Sequence, residues 1–243
     1  MKTETSFFCL ILIGFLNLSF VQSEPVKHTI LIDVSHGQRF WFDPTQPENK
    51  NNIRTEYLTS MIENTSVSLN VQIGFLNNKI EKEDLKDCKV LFIHAPSSEF
   101  EADEVKDIIH FVENGGSLFL AMEEDRWTTL EKTNVNDIIE PFGMQFGGLI
   151  NDKTSGGYSI VSELTPKSYK IPYHTPRIVK GGIPFCFRNS SGEYFGTYKA
   201  LDKGGKIVLM GDGMISLSLN SWQGKNDEQC NEFMNNVLKW LLN

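Results

Sequence analysis

One stretch constrains this chain more than any other: the run from Asp87 to Trp127, DCKVLFIHAPSSEFEADEVKDIIHFVENGGSLFLAMEEDRW. Val90, Leu91, Phe92 and Ile93 form a short continuous apolar run, the pattern of a strand covered on both faces. Val105, Ile108, Ile109 and Val112 then recur at the spacing of one helical face, with Glu101, Asp103 and Glu104 near the positive end of that helix. Asn114-Gly115-Gly116 stops it, because glycine accepts the left-handed conformation that ends helices. Leu118, Phe119, Leu120 and Ala121 make the second strand. The result is a βαβ unit with a right-handed crossover. Such units hold ligands just beyond the strand ends, here His94 to Ser98 and Met122 to Trp127.

The flanking sequence extends this unit into one sheet. His28 to Val34 is the first strand, followed by a long loop, RFWFDPTQPENKNN, that Pro44 and Pro47 make irregular. Loops of that length at strand ends are where binding residues tend to sit. Ile53, Tyr57, Leu58, Met61 and Ile62 mark a helix, and alternation of Val67, Leu69, Val71 and Ile73 predicts a strand over 66–73. Val135, Ile138, Ile139 and Phe142 predict a helix closed by Gly143, with a strand near Met144 to Phe146. From residue 147 to 205 the helical period disappears. Strands at Tyr158 to Val161, Ile183 to Phe187 and Tyr194 to Leu201 predict an antiparallel β extension in the C-terminal half. Lys206 to Met210 is a buried strand, and Cys230, Phe233, Met234, Val237, Leu238 and Leu241 share one face of the last helix. The expected class is α/β, a mostly parallel sheet flanked by helices.

Lys2 precedes an apolar run from Phe7 to Val21, and Val21-Gln22-Ser23 fits a small-residue cleavage pattern. This predicts a signal peptide over residues 1–23, a single domain over 24–243 and a secreted protein. An uncleaved membrane anchor is the alternative. After cleavage no apolar stretch is long enough to span a bilayer. The formal net charge of −8 argues against nucleic acid as a partner. Cys88, Cys186 and Cys230 match no zinc spacing and cannot all pair, so buried thiols are expected, with one disulfide the alternative.

Several strand ends bring polar residues to one edge: Asp33, His36 and Gln38 from the first, His94 from the second, Glu123, Glu124 and Asp125 from the third, and Asp212 from the last. Trp41, beside Phe40 and Phe42, could form a stacking platform over that edge or a satellite apolar cluster. Two histidines and several carboxylates suit general acid–base work or a divalent metal. Strand ends are polar in any α/β protein, however, and no tight ligand motif is present. No Gly-x-Ser-x-Gly or Gly-x-Cys-x-Gly elbow follows a strand. Gly147-Gly148, Gly156-Gly157 and Gly181-Gly182 do not open helices after strands, so no dinucleotide fingerprint exists and no cofactor is expected.

KVLFIHAPSSEFEADEVKDIIHFVENGGSLFLAMEE resembles the central segment of the class I glutamine amidotransferase-like superfamily. It is more closely similar to secreted members of unknown function and to the N-terminal domain of an intraflagellar transport protein. HTILIDVSHGQ, NVNDIIEPFGMQF and GGKIVLMGDGMISL fit the same resemblance in the same order. The resemblance implies a flavodoxin-like sheet. In catalytic members a cysteine stands on a tight turn directly after the strand that here is Ser117 to Met122, and this chain has Met122-Glu123-Glu124 there. The triad histidine and glutamate have no clear counterparts near Asp212 to Ser218. The expectation is a non-catalytic domain that binds a glycan or a protein at the strand-end cleft through Asp33, His36, Gln38, Trp41, His94, Glu123, Glu124 and Asp212. The alternative is a hydrolase, with or without a metal, using His36, His94 and the Glu123–Asp125 carboxylates.

Overall fold

The computed structural model describes residues 30–38, 40–150, 156–173, 175–213 and 228–243. The expected signal peptide, Cys9 and Trp222 lie outside them. The elements, in chain order, are β1 (Ile30–Asp33), α1 (Thr55–Leu69), β2 (Ile73–Leu76), α2 (Lys82–Leu85), β3 (Val90–His94), α3 (Ala102–Glu113), β4 (Ser117–Ala121) and α4 (Val135–Ile139). There follow β5 (Gln145–Leu149), β6 (Gly157–Ser159), β7 (Lys170–Ile171), β8 (Arg177–Lys180), β9 (Ile183–Arg188), β10 (Tyr194–Ala200), β11 (Lys206–Met210) and α5 (Glu228–Leu242).

One sheet runs in the order β2-β1-β3-β4-β11-β10-β9-β6-β7. Its first five strands are mutually parallel, and β10, β9, β6 and β7 continue it antiparallel. β5 and β8 form a separate antiparallel pair. The chain winds outward from β1 to β2, then reverses through β3 and β4, as in flavodoxin-like sheets. The α/β class and the antiparallel extension are therefore as expected.

Alternation of side chains along each strand creates two cores. Ile30, Ile32, Phe92, Phe119, Val208 and Met210 face α1 and α5, where Leu58, Met61, Phe233 and Leu241 cover them. Leu31, Leu91, Ile93, Leu118, Leu120 and Leu209 face α3 and α4, where Ile108, Val112, Val135 and Ile138 cover them. Each large apolar side chain buried this way contributes about 1.5–3 kcal/mol relative to exposure.

Two expectations are corrected. The strand predicted over 66–73 is mostly helix: α1 continues to Leu69, and only Ile73 begins a strand. Asn70 ends the helix in the left-handed conformation (φ 52°), its N–H donating to the carbonyls of Ser66 and Val67. Leu58, Met61 and Thr65 are the buried positions, whereas Val67 and Ile53 are exposed. The extension also holds β7 and β8, which the sequence pattern did not reveal. Cys88 and Cys186 are free thiols, and Cys230 is buried in the α5 core. Among the described residues no helix is long and apolar enough to cross a membrane.

Candidate functional site

The same alternation divides the strand-end residues between the two faces of the sheet. Asp33 follows Leu31 onto the α3 side. Its Oδ1 accepts from the Ser35 backbone N–H at 3.0 Å and from the Ser35 hydroxyl at 2.8 Å. Its Oδ2 faces His36 Nδ1 at 2.9 Å and also accepts from the Gln38 amide. His36 Nε2 lies 3.3 Å from Glu104 on α3, and the ring stacks on Phe100 at 3.9 Å. Glu104 in turn accepts from the backbone N–H groups of Ile80 at 2.7 Å and Glu101 at 2.8 Å. Burial disfavours the charged imidazole, but the Asp33 hydrogen bond and the charges of Asp33 and Glu104 outweigh it and raise the His36 pKa above its ordinary value. This network fastens β1, α3 and the β2–α2 loop together.

His94 follows Phe92 onto the other face, under Trp41, whose ring centroid is 5.1 Å from Phe92 and 6.1 Å from His94. His94 Nε2 donates to the Gly213 carbonyl at 3.2 Å. Burial holds its pKa down to about 4, so the ring is neutral at pH 7. His94 Nε2 and Glu123 Oε1 both crowd the α-carbon of Gly213: a Cβ there would lie 2.3 Å from one and 2.9 Å from the other. Burial, with the nearby charges of Asp212 and Glu124, pushes the Glu123 carboxyl up to about 9. Glu123 is therefore a neutral acid at pH 7.

His36 and His94 thus share the strand-end edge, but the two rings lie on opposite faces of the sheet and meet different partners. The three consecutive carboxylates also separate. Glu123 turns inward, Glu124 pairs with Arg126, and Asp125 pairs with Arg177. Among the described residues no group of three His, Cys, Asp or Glu could hold a metal ion. Burial raises the Cys88 thiol to about 12 and the Cys186 thiol well above its ordinary value, so neither is an activated thiolate.

Arg177, on β8, escaped the sequence reading. Its side chain is buried, donating through Nε to the Glu123 carbonyl and through Nη2 to the Thr128 carbonyl, both at 2.8 Å. Its backbone N–H donates to the Gly211 carbonyl at 2.9 Å. One residue of the extension thereby positions the exits of both β4 and β11. Glu104 was legible only as a charge near a helix start; the Glu101-x-x-Glu104 spacing of a capping box was the available signal.

Above these buried groups lies an aromatic rim. Phe40 and Trp127 meet edge to face at 6.5 Å, the Arg54 guanidinium lies 4.9 Å from the Phe40 ring, and that of Arg126 lies 4.7 Å from the Trp127 ring. At the opposite end of the strands, a cavity of about 370 Å³ opens between α2 and α3 over Leu85, Cys88, His110 and Phe111.

A family profile described as the IFT52 GIFT domain matches residues 50–155, from the loop before α1 to just beyond β5. Among solved structures the chain is similar to the mmIFT52 N-terminal domain, with a TM-score of 0.63 and 16% identity over 88% of this chain and 98% of that one. It is similar to a ThuA-like protein from Bacteroides uniformis ATCC 8492, with a TM-score of 0.51 and 12% identity over 90% and 93% of the two chains. It is also similar to a GMP synthase protein from Thermoplasma acidophilum, with a TM-score of 0.50 and 10% identity over 88% and 92%. No curated protein matches. At these identities the likeness to solved structures concerns the fold, which is amidotransferase-like. The expectation of secretion is corrected by the profile match over residues 50–155, which is to a domain of an intracellular intraflagellar transport protein and not of a secreted one.

Proposed function

We propose that this chain is a non-catalytic amidotransferase-like domain that binds a protein partner, in the manner of a structural module of an intraflagellar-transport assembly. One observation carries the reading. Directly after β4, where catalytic relatives carry cysteine on a strained turn, this chain has Met122 and Glu123, both at most 3% exposed. Neither has the left-handed backbone of such a turn; among the described non-glycine residues only Asn70 and Ala95 have positive φ. His94 and Asp212 beside them are 1% exposed, so the groups a reaction would need are closed to solvent. The accessible chemistry is Trp127, Arg54 and Arg126, set around the buried Phe40 ring, residue types that anchor protein interfaces.

The test uses the purified chain in two assays. Cross-linking in cell extract with identification of the captured protein, repeated with that protein purified, should give an affinity that Trp127→Ala weakens at least tenfold. Glutamine hydrolysis by the same preparation should be absent. Ammonia release that disappears in Glu123→Gln would sink the non-catalytic reading, and binding indifferent to Trp127→Ala would remove the rim from it.

A further inference from the structure

Trp41 and His94 are 2% and 1% exposed, and the indole Nε1 of the first and the ring Nδ1 of the second have no hydrogen-bond partner. Buried polar atoms left this way are rare because each forfeits its bond to water and gains nothing in return. The two atoms are chemically complementary. An indole N–H can only donate. His94 Nε2 faces a carbonyl oxygen, that of Gly213, so this nitrogen carries the ring proton. Burial keeps the ring neutral, and Nδ1 therefore presents a lone pair.

A donor and an acceptor that could satisfy each other do not meet. Their rings face each other at 6.1 Å between centroids with a 53° tilt. Two hydrogen bonds of about 2.9 Å meeting at one water oxygen set their nitrogens roughly 4.5–5 Å apart, a separation that ring centroids 6.1 Å apart allow. We propose that a single buried water molecule bridges Trp41 and His94, accepting from the indole N–H and donating to the imidazole Nδ1. Sites of this kind hold ordered water when they are polar on two or more sides and have room for one molecule. The water joins the irregular loop after β1, which carries Trp41, to the end of β3, which carries His94. It completes a chain running from that loop through the imidazole to the Gly213 carbonyl after β11. The site is independent of the proposed partner binding, since it lies beneath the rim and uses neither Trp127 nor the arginines.

A crystal structure of the full chain should show solvent density within about 3.3 Å of both nitrogens. In solution, the Trp41 indole N–H of ¹⁵N-labelled protein should show a through-space cross-peak to a long-lived water. His94→Phe, which keeps an aromatic ring and removes the acceptor, should abolish that cross-peak while the Trp41 resonance persists. A direct Trp41–His94 hydrogen bond, or ordered side chains with no density between them, would overturn the proposal. If His94→Phe does not fold, the wild-type density and cross-peak decide the question by themselves.

Discussion

His36 Nδ1 lies 2.9 Å from the Asp33 carboxylate, and both side chains are buried, with Glu104 closing on the imidazole from the opposite side. A ring held between two carboxylates is stabilised in its charged form, and its pKa is raised from 6.5. The stability this contributes is fully present below pH 6.5 and is lost as pH rises through the higher folded-state value. His36→Gln should therefore cost about 3 kcal/mol near pH 6 and less near pH 9. Urea denaturation of both proteins across that range checks it; a cost that grows with pH would refute the charged assignment.

Glu123 titrates at about 9 in the folded chain against 4.5 for a free glutamate. The folded state then holds a proton that the unfolded state releases, so stability falls as pH rises from 4.5 and levels off above about 9. Glu123→Gln keeps a neutral side chain of the same shape and removes this dependence. The variant should be more stable than the parent at pH 8, by roughly 1.4 kcal/mol for each pH unit above 4.5, and the two should approach each other near pH 5. Thermal melts at both pH values distinguish this from a packing effect, which would be independent of pH.

Gly213→Ala places a methyl group 2.3 Å from His94 Nε2 and 2.9 Å from Glu123 Oε1. Neither neighbour can withdraw, because each is buried. A loss of about 2 kcal/mol is expected from overpacking. The double variant with His94→Ala should recover part of it, and denaturation midpoints of the single and double variants measure the coupling.

Arg177→Lys retains the positive charge but cannot donate along the same fork to the Glu123 and Thr128 carbonyls and the Asp125 carboxylate. Two buried carbonyls lose their donor, at a cost of about 3 kcal/mol. Amide hydrogen exchange should accelerate across Met122 to Thr128 before it does so elsewhere. Uniform acceleration over all strands would mean that Arg177 supports the whole fold rather than this loop.

The parallel strands were legible because strands buried on both faces read as continuous apolar runs, as Val90–Ile93 and Leu118–Ala121 do. The segment from Val67 to Ile73 misled because its apolar spacing fits a strand, while one left-handed residue, Asn70, decides where α1 stops. β7 has two residues, too few to show any period. At the strand ends, Asp33, His94, Glu123 and Asp212 could be placed on the right edge from sequence. Their division between faces depended on counting parity through each strand into its loop, which the sequence pattern blurs at the boundary. The partners that fix the site, Glu104 for His36 and Arg177 for Glu123, stand 68 and 54 residues away in the chain. Local pattern carries no trace of such pairings.

The Arg177 clamp bears on where this domain can be cut. β8 holds the turns after β4 and β11, and the Phe195 carbonyl on β10 accepts from the Gly211 N–H at 2.7 Å. Deleting residues 147–205 to isolate the doubly wound half would strip β11 of its neighbour and leave the Glu123, Thr128 and Gly211 carbonyls facing an empty flank. The antiparallel strands are a retaining wall for the strand ends, and the smallest unit that keeps the site intact includes them.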